Sequence, residues 1–271
     1  MSGIFGIISG KDVSEQLLLG VDYHSHMGTE YGGLAVLDDE GSLHKKIHSI
    51  AGSQFKSKFI DEYRKLNGKA GIGVISDSNE QPLVFNSKYG SFALCANGLV
   101  SNKQELVDEL IAGGETFSEF REDGVNTAEL AATLINKGKS LVDGVSHLFD
   151  VIKGSLSILI LNEDGIYVAN DRNSRFPLVI GKGDKGWAAA TETCSFSNLG
   201  LKIEKYVGPD EIILLTKDGM KSVKKNSDCC KVCSFLWIYT GFPTSNYEGV
   251  NAEVVRERCG RALAKRNQVK A

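Results

Sequence analysis

Three cysteines near the C-terminal end are spaced so that they could bind a metal ion. Cys229, Cys230 and Cys233 include a Cys-x-x-Cys pair, a spacing found in zinc and iron–sulfur sites. Such sites need further ligands, and the sequence has no histidine or second cysteine pair close by. We therefore interpret the three cysteines as reduced thiols, and we expect no metal and no other cofactor.

The five histidines are scattered along the chain and show no spacing typical of metal ligands. His44 and His48 are four residues apart, but the stretch around them is polar and turn-like. We interpret both as surface residues.

Length and composition restrict the class of protein. The 271 residues carry a formal net charge of −3, and 42% are hydrophobic, as in ordinary soluble proteins. The near-neutral charge gives no electrostatic reason to expect nucleic-acid binding. No stretch approaches the roughly 18 apolar residues of a membrane span, and the apolar start lacks the basic region of a signal peptide. With six cysteines, this predicts a cytoplasmic protein that does not contact membranes.

The pattern of apolar residues predicts an α+β fold. Strands are expected where short apolar runs end in Gly or Asp turns, and helices where apolar residues recur every three or four positions. The expected helices are residues 13–26, 103–112, 127–136 and 141–152, and the expected strands are residues 4–8, 33–37, 70–75, 82–85, 91–95, 156–161, 166–169, 178–180, 187–190 and 212–215. Two sheets packed together with helices outside would bury all these apolar faces.

The end of the chain differs in composition. The apolar run at residues 235–239 predicts a strand, and a basic helix is expected over residues 250–266. Its arginines would lie in solvent. The apolar residues expected to pack inward are Val254, Val255, Cys259 and Leu263.

Short motifs along the chain resemble one family. Ser2-Gly3-Ile4-Phe5-Gly6-Ile7 is similar to the opening Cys-Gly-Ile/Val-Phe-Gly-Ile of class II glutamine amidotransferases. Further similar segments follow in the family's order at 26–33, 96–98, 126–127, 171–178, 191–196, 208–211 and 233–239. The segments Glu-Thr-Cys-Ser-Phe and Cys-Ser-Phe-Leu-Trp-Ile-Tyr favour the N-terminal glutaminase domain of the amidophosphoribosyltransferases. The resemblance implies a four-layer αββα Ntn-hydrolase sandwich.

The resemblance also implies catalytic roles for Ser2, Asn97 and Gly98. In the family, the first residue of the mature chain attacks the amide carbonyl, and its own α-amine is the base. Ser2 lies at that position with a hydroxyl in place of a thiol, and its amine would be free only after removal of Met1. Asn97 and Gly98 match the two donors of the oxyanion hole. Taken alone, they are also typical of an ordinary Asn-Gly turn.

The residues that would hold free glutamine differ from those of the family. The resemblance puts Ser76 at the arginine that binds the substrate carboxylate and Asn126 at the aspartate that binds its ammonium group. Met27 replaces a second arginine. A guanidinium is the best partner for a carboxylate, and a neutral carboxamide cannot neutralise an ammonium. We therefore expect lost or much reduced glutaminase activity.

Three functions stay open at this point. The chain could be a non-catalytic domain used in regulation or assembly, a Ser2-dependent amidohydrolase acting on another amide, or the glutaminase subunit of a split amidophosphoribosyltransferase. We expect residues 1–235 to form the amidotransferase-like domain and residues 236–271 a strand and helix extension. The diphosphate-binding signature of a phosphoribosyltransferase domain does not occur in the sequence. The expected partner is therefore a separate phosphoribosyltransferase or a second copy of this chain.

Overall fold

Two antiparallel sheets form the centre of the computed structural model, which describes residues 2–121, 124–184, 186–225 and 231–266. The larger sheet contains β1 (Ser2–Ser9), β2 (Tyr31–Leu37), β3 (Leu43–Ser49), β4 (Ala70–Ser76), β11 (Val179–Gly183), β12 (Gly186–Ala190) and β13 (Lys202–Tyr206). The smaller sheet contains β5 (Leu83–Ser87), β6 (Gly90–Val100), β9 (Gly154–Asn162), β10 (Gly165–Asn170), β14 (Ile212–Thr216) and β15 (Gly219–Lys224). Two short hairpins pair β7 (Phe120–Arg121) with β8 (Gly124–Val125), and β16 (Asn246–Tyr247) with β17 (Val250–Asn251).

The spatial order of the strands places β1 and β6 inside their sheets. The larger sheet runs β13-β11-β12-β1-β4-β2-β3, and the smaller runs β15-β14-β10-β9-β6-β5. Most of the strands were expected from the sequence, and β1 lies between β4 and β12, with its first residue paired to β4.

Helices cover the outer faces of both sheets. They are α1 (Ser14–Asp22), α2 (Phe55–Phe59), α3 (Lys103–Ala112), α4 (Thr127–Ile135) and α5 (Leu141–Val151). A further helix, α6 (Ala252–Arg266), packs through Ala252 on Leu236 and Tyr247 near the end of the chain. Leu17 of α1 and Phe55 of α2 share a buried cluster with Phe5 of the larger sheet. Leu134 of α4 shares another with Ile158 of the smaller sheet. The expected four-layer αββα sandwich is confirmed. Within the described ranges, no helix has the length and apolar character needed to cross a membrane.

Alternation along β1 explains how one strand contributes to two cores. Ile4 and Ile8 lie in the cluster between the two sheets, whereas Phe5 and Ile7 lie in the cluster under α1. Successive side chains of a strand point to opposite faces, and every residue of β1 is buried. The first residue of this strand, Ser2, is therefore held inside the sandwich.

The stretch with His44 and His48 is a strand, so the turn-like interpretation was wrong. It forms β3, which lies at the edge of the larger sheet and pairs with β2. Polar side chains are common on edge strands because solvent reaches one side of them. His44 is exposed and contacts Asp38, while His48 is half-buried with its Nε2 2.5 Å from Glu62 Oε2.

Residues 235–266, here called the C-terminal segment, do not begin with the expected strand. Leu236–Thr240 is a single turn of π-helix. Its hydrogen bonds are local, since the Gly241 N–H donates to the Leu236 carbonyl over 2.8 Å. No residue of 235–239 belongs to either sheet. Apolar content alone predicted the wrong element here.

The basic helix near the C-terminus is present as α6, but its apolar residues do not pack inward as expected. Val254 is 38% exposed, Leu263 is 61% exposed, and Cys259 is also exposed. The first turns hold the helix, because Ala252 is buried and the Arg256 guanidinium donates to backbone carbonyls of the same segment.

Candidate active site

Ser2 and Ser76 lie opposite each other at the ends of two paired strands. The antiparallel register of β1 and β4 matches Ser2 with Ser76. The Ser2 hydroxyl donates to Ser76 Oγ over 3.0 Å, and both side chains are buried. Ser76 Oγ also accepts from the backbone N–H groups of Ser78 and Asn79, at 3.3 and 3.2 Å. Ser76 is therefore the centre of a small network of hydroxyl and amide groups.

This network gives Ser2 a hydrogen-bond partner, but neither of the described side chains bonded to Ser2 is a base. A hydroxyl nucleophile needs a neighbouring group that accepts its proton, and the Ser76 hydroxyl is not basic near neutral pH. The Ser2 nitrogen donates to Asn97 Oδ1 over 3.0 Å. Among the described residues, the side-chain groups that hydrogen-bond Ser2 are thus a hydroxyl and a carboxamide.

Asn97 and Gly98 lie within β6, not in a turn. Their register partners are Ser157 and Leu156 of β9. Gly98 has φ +153°, and a Cβ added there would overlap the Ser155 carbonyl oxygen. A residue other than glycine would therefore displace one of the two strands.

The Asn97 carboxamide is paired on one side only. Its Oδ1 accepts from Ser2, whereas its Nδ2 is buried and has no hydrogen-bond partner among the described residues. An unpaired buried donor costs ~1–3 kcal/mol, and such groups often mark functional sites. The Asn97 Nδ2 group is therefore an unpaired donor beside Ser2, and the oxyanion-hole role of Asn97 and Gly98 stays a prediction.

Asn126 caps a helix and holds a loop at the same time. It is the N-cap of α4, where its Oδ1 accepts from the Ala128 N–H over 2.9 Å. Its Nδ2 donates to the Glu80 carbonyl over 2.8 Å. Both polar atoms of this predicted substrate ligand are engaged by the protein chain.

Residues 77–82, here called the pocket loop, are fixed to α4 and to β6. The Asn79 side chain accepts from the Thr127 N–H over 2.8 Å. The Gln81 side chain exchanges two bonds with the backbone of Ala96, donating over 3.2 Å and accepting over 2.6 Å. Asn79 and Gln81 are almost fully buried. The loop after Ser76 is thus ordered by its own side chains.

Met27 ends a short 3₁₀ turn, Ser25–Met27, and is 8% exposed. The next residue, Gly28, lies against the end of β4, since a Cβ on it would be 2.7 Å from the Ser76 nitrogen. A thioether at Met27 offers no charge to an anion. Six side chains of the site carry no charge: Ser2, Met27, Ser76, Asn79, Asn97 and Asn126. The pocket loop also contains two acidic residues, Asp77 and Glu80.

A buried polar network supports the strand behind Gly98. The Ser155 hydroxyl and the Ser174 N–H donate to Asp171 Oδ1 over 3.0 and 2.9 Å. Burial raises the pKa of the Asp171 carboxyl above its ordinary value, against the lowering effect of these bonds. The network fixes the Ser155 backbone, which approaches Gly98. The place of Asp171 in the 171–178 motif did not indicate this role.

Gly28 also lines an open cavity of about 490 Å³. Its lining includes Asp22, Ser25, Thr29 and Gln54, and none of the six predicted site residues. We place the candidate site at Ser2 rather than in this cavity, because the predicted catalytic side chains meet there.

Metal-ligating side chains do not cluster in the residues that the structure describes. No three of them come together in a way that could hold an ion. Cys229 and Cys230 lie outside the described residues, so the interpretation of the cysteine cluster stays a prediction.

Sequence reasoning missed several residues that organise the site. Asn79 and Gln81 lie in none of the motifs identified in the sequence, and the partners of Asn79 and Gln81, Thr127 and Ala96, lie 48 and 15 residues away. Glu192 was noted in a motif, but not as a buried carboxylate, 2% exposed. An isolated acid directly after an apolar strand is the signal that could have identified it.

Comparison with known proteins identifies what the chain as a whole is similar to. A glutamine amidotransferase domain model matches residues 69–198. The amidophosphoribosyltransferase of Bacillus subtilis is 30% identical over 99% of this chain and 57% of the relative, and that of Methanocaldococcus jannaschii is 28% identical over 100% and 62%. The solved B. subtilis glutamine phosphoribosylpyrophosphate amidotransferase, complexed with ADP and GMP, superposes with a TM-score of 0.89 at 29% identity, covering 99% of this chain and 59% of that one.

These matches cover nearly all of this chain but less than two thirds of each relative. A class II glutamine aminotransferase domain protein from Silicibacter pomeroyi, 10% identical with a TM-score of 0.56, shares the fold alone. The αββα sandwich is that of the Ntn hydrolases, as in the solved amidotransferase. The chain is therefore a relative of the glutamine amidotransferase domain of the amidophosphoribosyltransferases.

Proposed function

We propose that this protein is a glutamine amidotransferase-like domain that has lost glutaminase activity and acts by association with a phosphoribosyltransferase-type polypeptide. The observation that carries the proposal is the pairing of Ser2 with Ser76. The position expected to clamp the substrate carboxylate instead holds a hydroxyl that bonds the nucleophile position over 3.0 Å. Ser76 thereby stands where a substrate ligand is expected, and it also hydrogen-bonds the Ser2 hydroxyl that would have to react.

The position expected to bind the ammonium group of glutamine supports the same conclusion. The carboxamide of Asn126 is bonded to α4 and to the pocket loop, and it carries no charge. Free glutamine is a zwitterion, and burying its charged ends without partners costs several kcal/mol. The site would therefore bind glutamine poorly even if Ser2 were reactive.

The test is an ammonia-release assay of the purified protein with glutamine, alongside the B. subtilis amidotransferase as positive control. We expect no ammonia above the rate without protein, and no rise in the unfolding temperature when glutamine is added. Glutamine-dependent ammonia release that disappears in Ser2→Ala would contradict the proposal.

A second candidate is a Ser2-dependent amidohydrolase acting on an uncharged amide. The unpaired Nδ2 of Asn97 favours it, because this buried donor lies beside Ser2 and could bind a carbonyl oxygen. The uncharged site residues would suit a neutral substrate. Intact-mass measurement is the decisive experiment. A mature protein that begins at Ser2 is required, and retention of Met1 would exclude this candidate because the α-amine would be blocked.

The association with a phosphoribosyltransferase-type polypeptide is supported by two observations. The relatives carry further chain beyond the matched part, and the C-terminal segment presents exposed apolar side chains. These are Phe235, Ile238, Tyr239, Phe242, Val250, Val254 and Leu263. Exposed apolar side chains concentrated in one part of the chain support an interaction site there. In this proposal residues 1–235 form the amidotransferase-like domain, residues 236–271 form the extension that contacts the partner, and the complex belongs to cytoplasmic purine biosynthesis.

Size-exclusion chromatography with light scattering tests the partner, with and without the phosphoribosyltransferase encoded in the same genome. We expect a 1:1 complex that Tyr239→Ser weakens. A stable homo-oligomer that excludes the phosphoribosyltransferase would favour the alternative partner, a second copy of this chain.

A further inference from the structure

Glu192 joins three separate parts of the chain in one buried cluster. It follows β12 and is 2% exposed. Its two carboxylate oxygens accept hydrogen bonds from the C-terminal segment and from the turn before β2. A buried carboxylate is stable only when such donors surround it, so its partners fix the geometry around it.

The C-terminal segment contributes three donors to this carboxylate. The Tyr247 hydroxyl donates to Glu192 Oε1 over 2.5 Å, while the Ser245 hydroxyl and the Phe242 N–H donate to Oε2 over 3.1 and 3.2 Å. The Asn246 N–H donates to the neighbouring Thr193 hydroxyl over 2.8 Å.

The segment has little apolar core of its own. Its buried cluster consists of Leu236, Tyr247 and Ala252. This amount of apolar burial is small compared with the conformational entropy of ordering some thirty residues. The hydrogen bonds to Glu192 are therefore a main part of what holds the segment against the sandwich.

The sandwich side of the cluster consists of two histidines around the 3₁₀ turn. His26 Nε2 lies 3.0 Å from Glu192 Oε2. His24 is fully buried; its Nδ1 lies 2.8 Å from the Gly20 carbonyl, and its Nε2 accepts from the Glu192 N–H over 3.2 Å. Both histidines therefore depend on the position of Glu192.

The same histidines border the candidate site. A Cβ on Gly3 would be 2.5 Å from His24 Cβ, so His24 packs directly on the residue after Ser2. Gly28, two residues after His26, packs on the Ser76 backbone. Contacts thus run from Glu192 through His24 to Gly3, and from Glu192 through His26 and Gly28 to Ser76.

We infer that Glu192 couples the C-terminal segment to the Ser2–Ser76 site, so that displacing the segment loosens the 3₁₀ turn and the start of the pocket loop. Glu192 is in this sense a positioning residue. The coupling is a property of the packing and does not depend on whether the site hydrolyses an amide. A change at the exposed face of the C-terminal segment is thereby transmitted through Glu192 to the Ser2–Ser76 site.

The charges in the cluster agree with this role. Burial by itself raises the pKa of the Glu192 carboxyl. The hydrogen bond and charge of His26 and the hydrogen bond from Tyr247 lower this pKa by a larger amount, so it lies below its ordinary value. Burial and the Glu192 charge raise the pKa of the Tyr247 phenol, which keeps it protonated as a donor.

Hydrogen–deuterium exchange of the whole protein tests the coupling. Glu192→Gln removes the carboxylate charge. It also places an amide NH₂ group, which is a donor, next to the Phe242, Ser245 and Tyr247 groups that donate to the carboxylate. We expect exchange to rise about tenfold or more in residues 242–252 and also in residues 24–30 and 76–80. Tyr247→Phe perturbs the cluster from the segment side only, and we expect it to raise exchange in residues 24–30 and 76–80 as well.

The matched control is Glu211→Gln. Glu211 is another buried carboxylate, 2% exposed, which accepts from the Gly208 N–H and the Ser222 hydroxyl and has no contact with the C-terminal segment among these bonds. We expect its effect to stay near residues 208–211 and 222. If either cluster variant changes exchange in the C-terminal segment but leaves residues 24–30 and 76–80 unchanged, the segment is merely attached and the coupling is wrong. An equal rise throughout the molecule, including α3, in both Glu192→Gln and Tyr247→Phe would also overturn it.

Discussion

The hydroxyl oxygens of Ser2 and Ser76 lie 3.0 Å apart across β1 and β4, and both side chains are buried. In this arrangement Ser76 accepts from Ser2 and from two backbone N–H groups of the pocket loop. A residue at a predicted ligand position has become part of the internal hydrogen bonding of the domain. Its substitution should therefore affect stability.

Ser76→Ala should lower the free energy of unfolding by ~1–3 kcal/mol, because it leaves the Ser2 hydroxyl and two loop N–H groups without their acceptor. Urea denaturation measures this change. Ser57→Ala is the control, since Ser57 is exposed and bonds only a neighbouring carbonyl, and its effect should stay within about 0.5 kcal/mol. Equal effects of the two variants would contradict the role given to Ser76.

Ser2→Cys should not restore glutaminase activity. The thiol is a better nucleophile, but the uncharged side chains of Ser76 and Asn126 still leave both ends of glutamine unpaired. Ammonia release measured after confirmed removal of Met1 checks this expectation. Turnover in Ser2→Cys alone would mean that the substrate clamp does not require charge, and it would remove the main argument for lost activity.

Gly98→Ala should destabilise the protein more than Gly90→Ala. Both glycines have positive φ, +153° and +87°, but a Cβ on Gly98 meets the Ser155 carbonyl whereas one on Gly90 has no neighbour within 4 Å. Backbone strain alone costs ~1–3 kcal/mol, and the clash adds to it only at Gly98. Thermal unfolding of the two variants separates the effects, and similar losses would show that β6 and β9 can move apart freely.

Asn126→Ala should destabilise more than loss of an ordinary helix cap. The change removes both the N-cap bond to Ala128 and the bond to the Glu80 carbonyl. The control is Ser140→Ala, which removes only the exposed cap of α5 at a cost of about 1 kcal/mol. We expect the difference to exceed ~0.5 kcal/mol. Equal losses would argue that the pocket loop gains nothing from Asn126.

Stability should fall as the pH drops below about 6.5, because of His24. Burial lowers the pKa of this imidazole from 6.5, against the raising effects of the Glu192 charge and the Gly20 carbonyl bond. The unfolded chain then binds a proton that the folded protein does not, so the free energy of unfolding decreases by up to ~1.4 kcal/mol per pH unit below that value. Glu192 behaves differently, since its lowered pKa removes stability only below the ordinary value of 4.5.

Chemical denaturation at three pH values, about 7.5, 6.5 and 5.5, measures how the free energy of unfolding depends on pH. His24→Gln removes the titrating group, so its stability should vary less over the same range. An unchanged slope in the variant would assign the pH dependence to other groups.

The sequence predicted the sandwich well because most of its elements depend on local patterns. The helix expected at residues 103–112 is α3 with the same bounds, and the apolar runs around Ile4 and Ile158 are strands of the two sheets. The strand β3 was missed since its polar residues fit an edge strand as well as a turn. The π-helical turn at Leu236–Thr240 was missed since apolar content does not determine backbone geometry.

The candidate site was only partly predictable for a different reason. The resemblance identified Ser2, Asn97 and Gly98, and the structure brings Asn97 within hydrogen-bond distance of Ser2. The bonds of Ser76 to Ser2 and of Asn79 to Thr127 span 74 and 48 residues. No local pattern encodes such pairs, and they become visible only when the strands are in register.

The position of β1 between β4 and β12 determines where foreign sequence can be attached. Ser2 is buried at the start of this strand, beside Ser76 and Asn97. An affinity tag fused in front of Ser2 would be attached to the Ser2 nitrogen, which donates to Asn97, and would keep the α-amine blocked. Arg266 at the far end of α6 is exposed. Activity and ligand measurements therefore need a tag at the C-terminal end, or a cleavable leader that exposes the Ser2 amine.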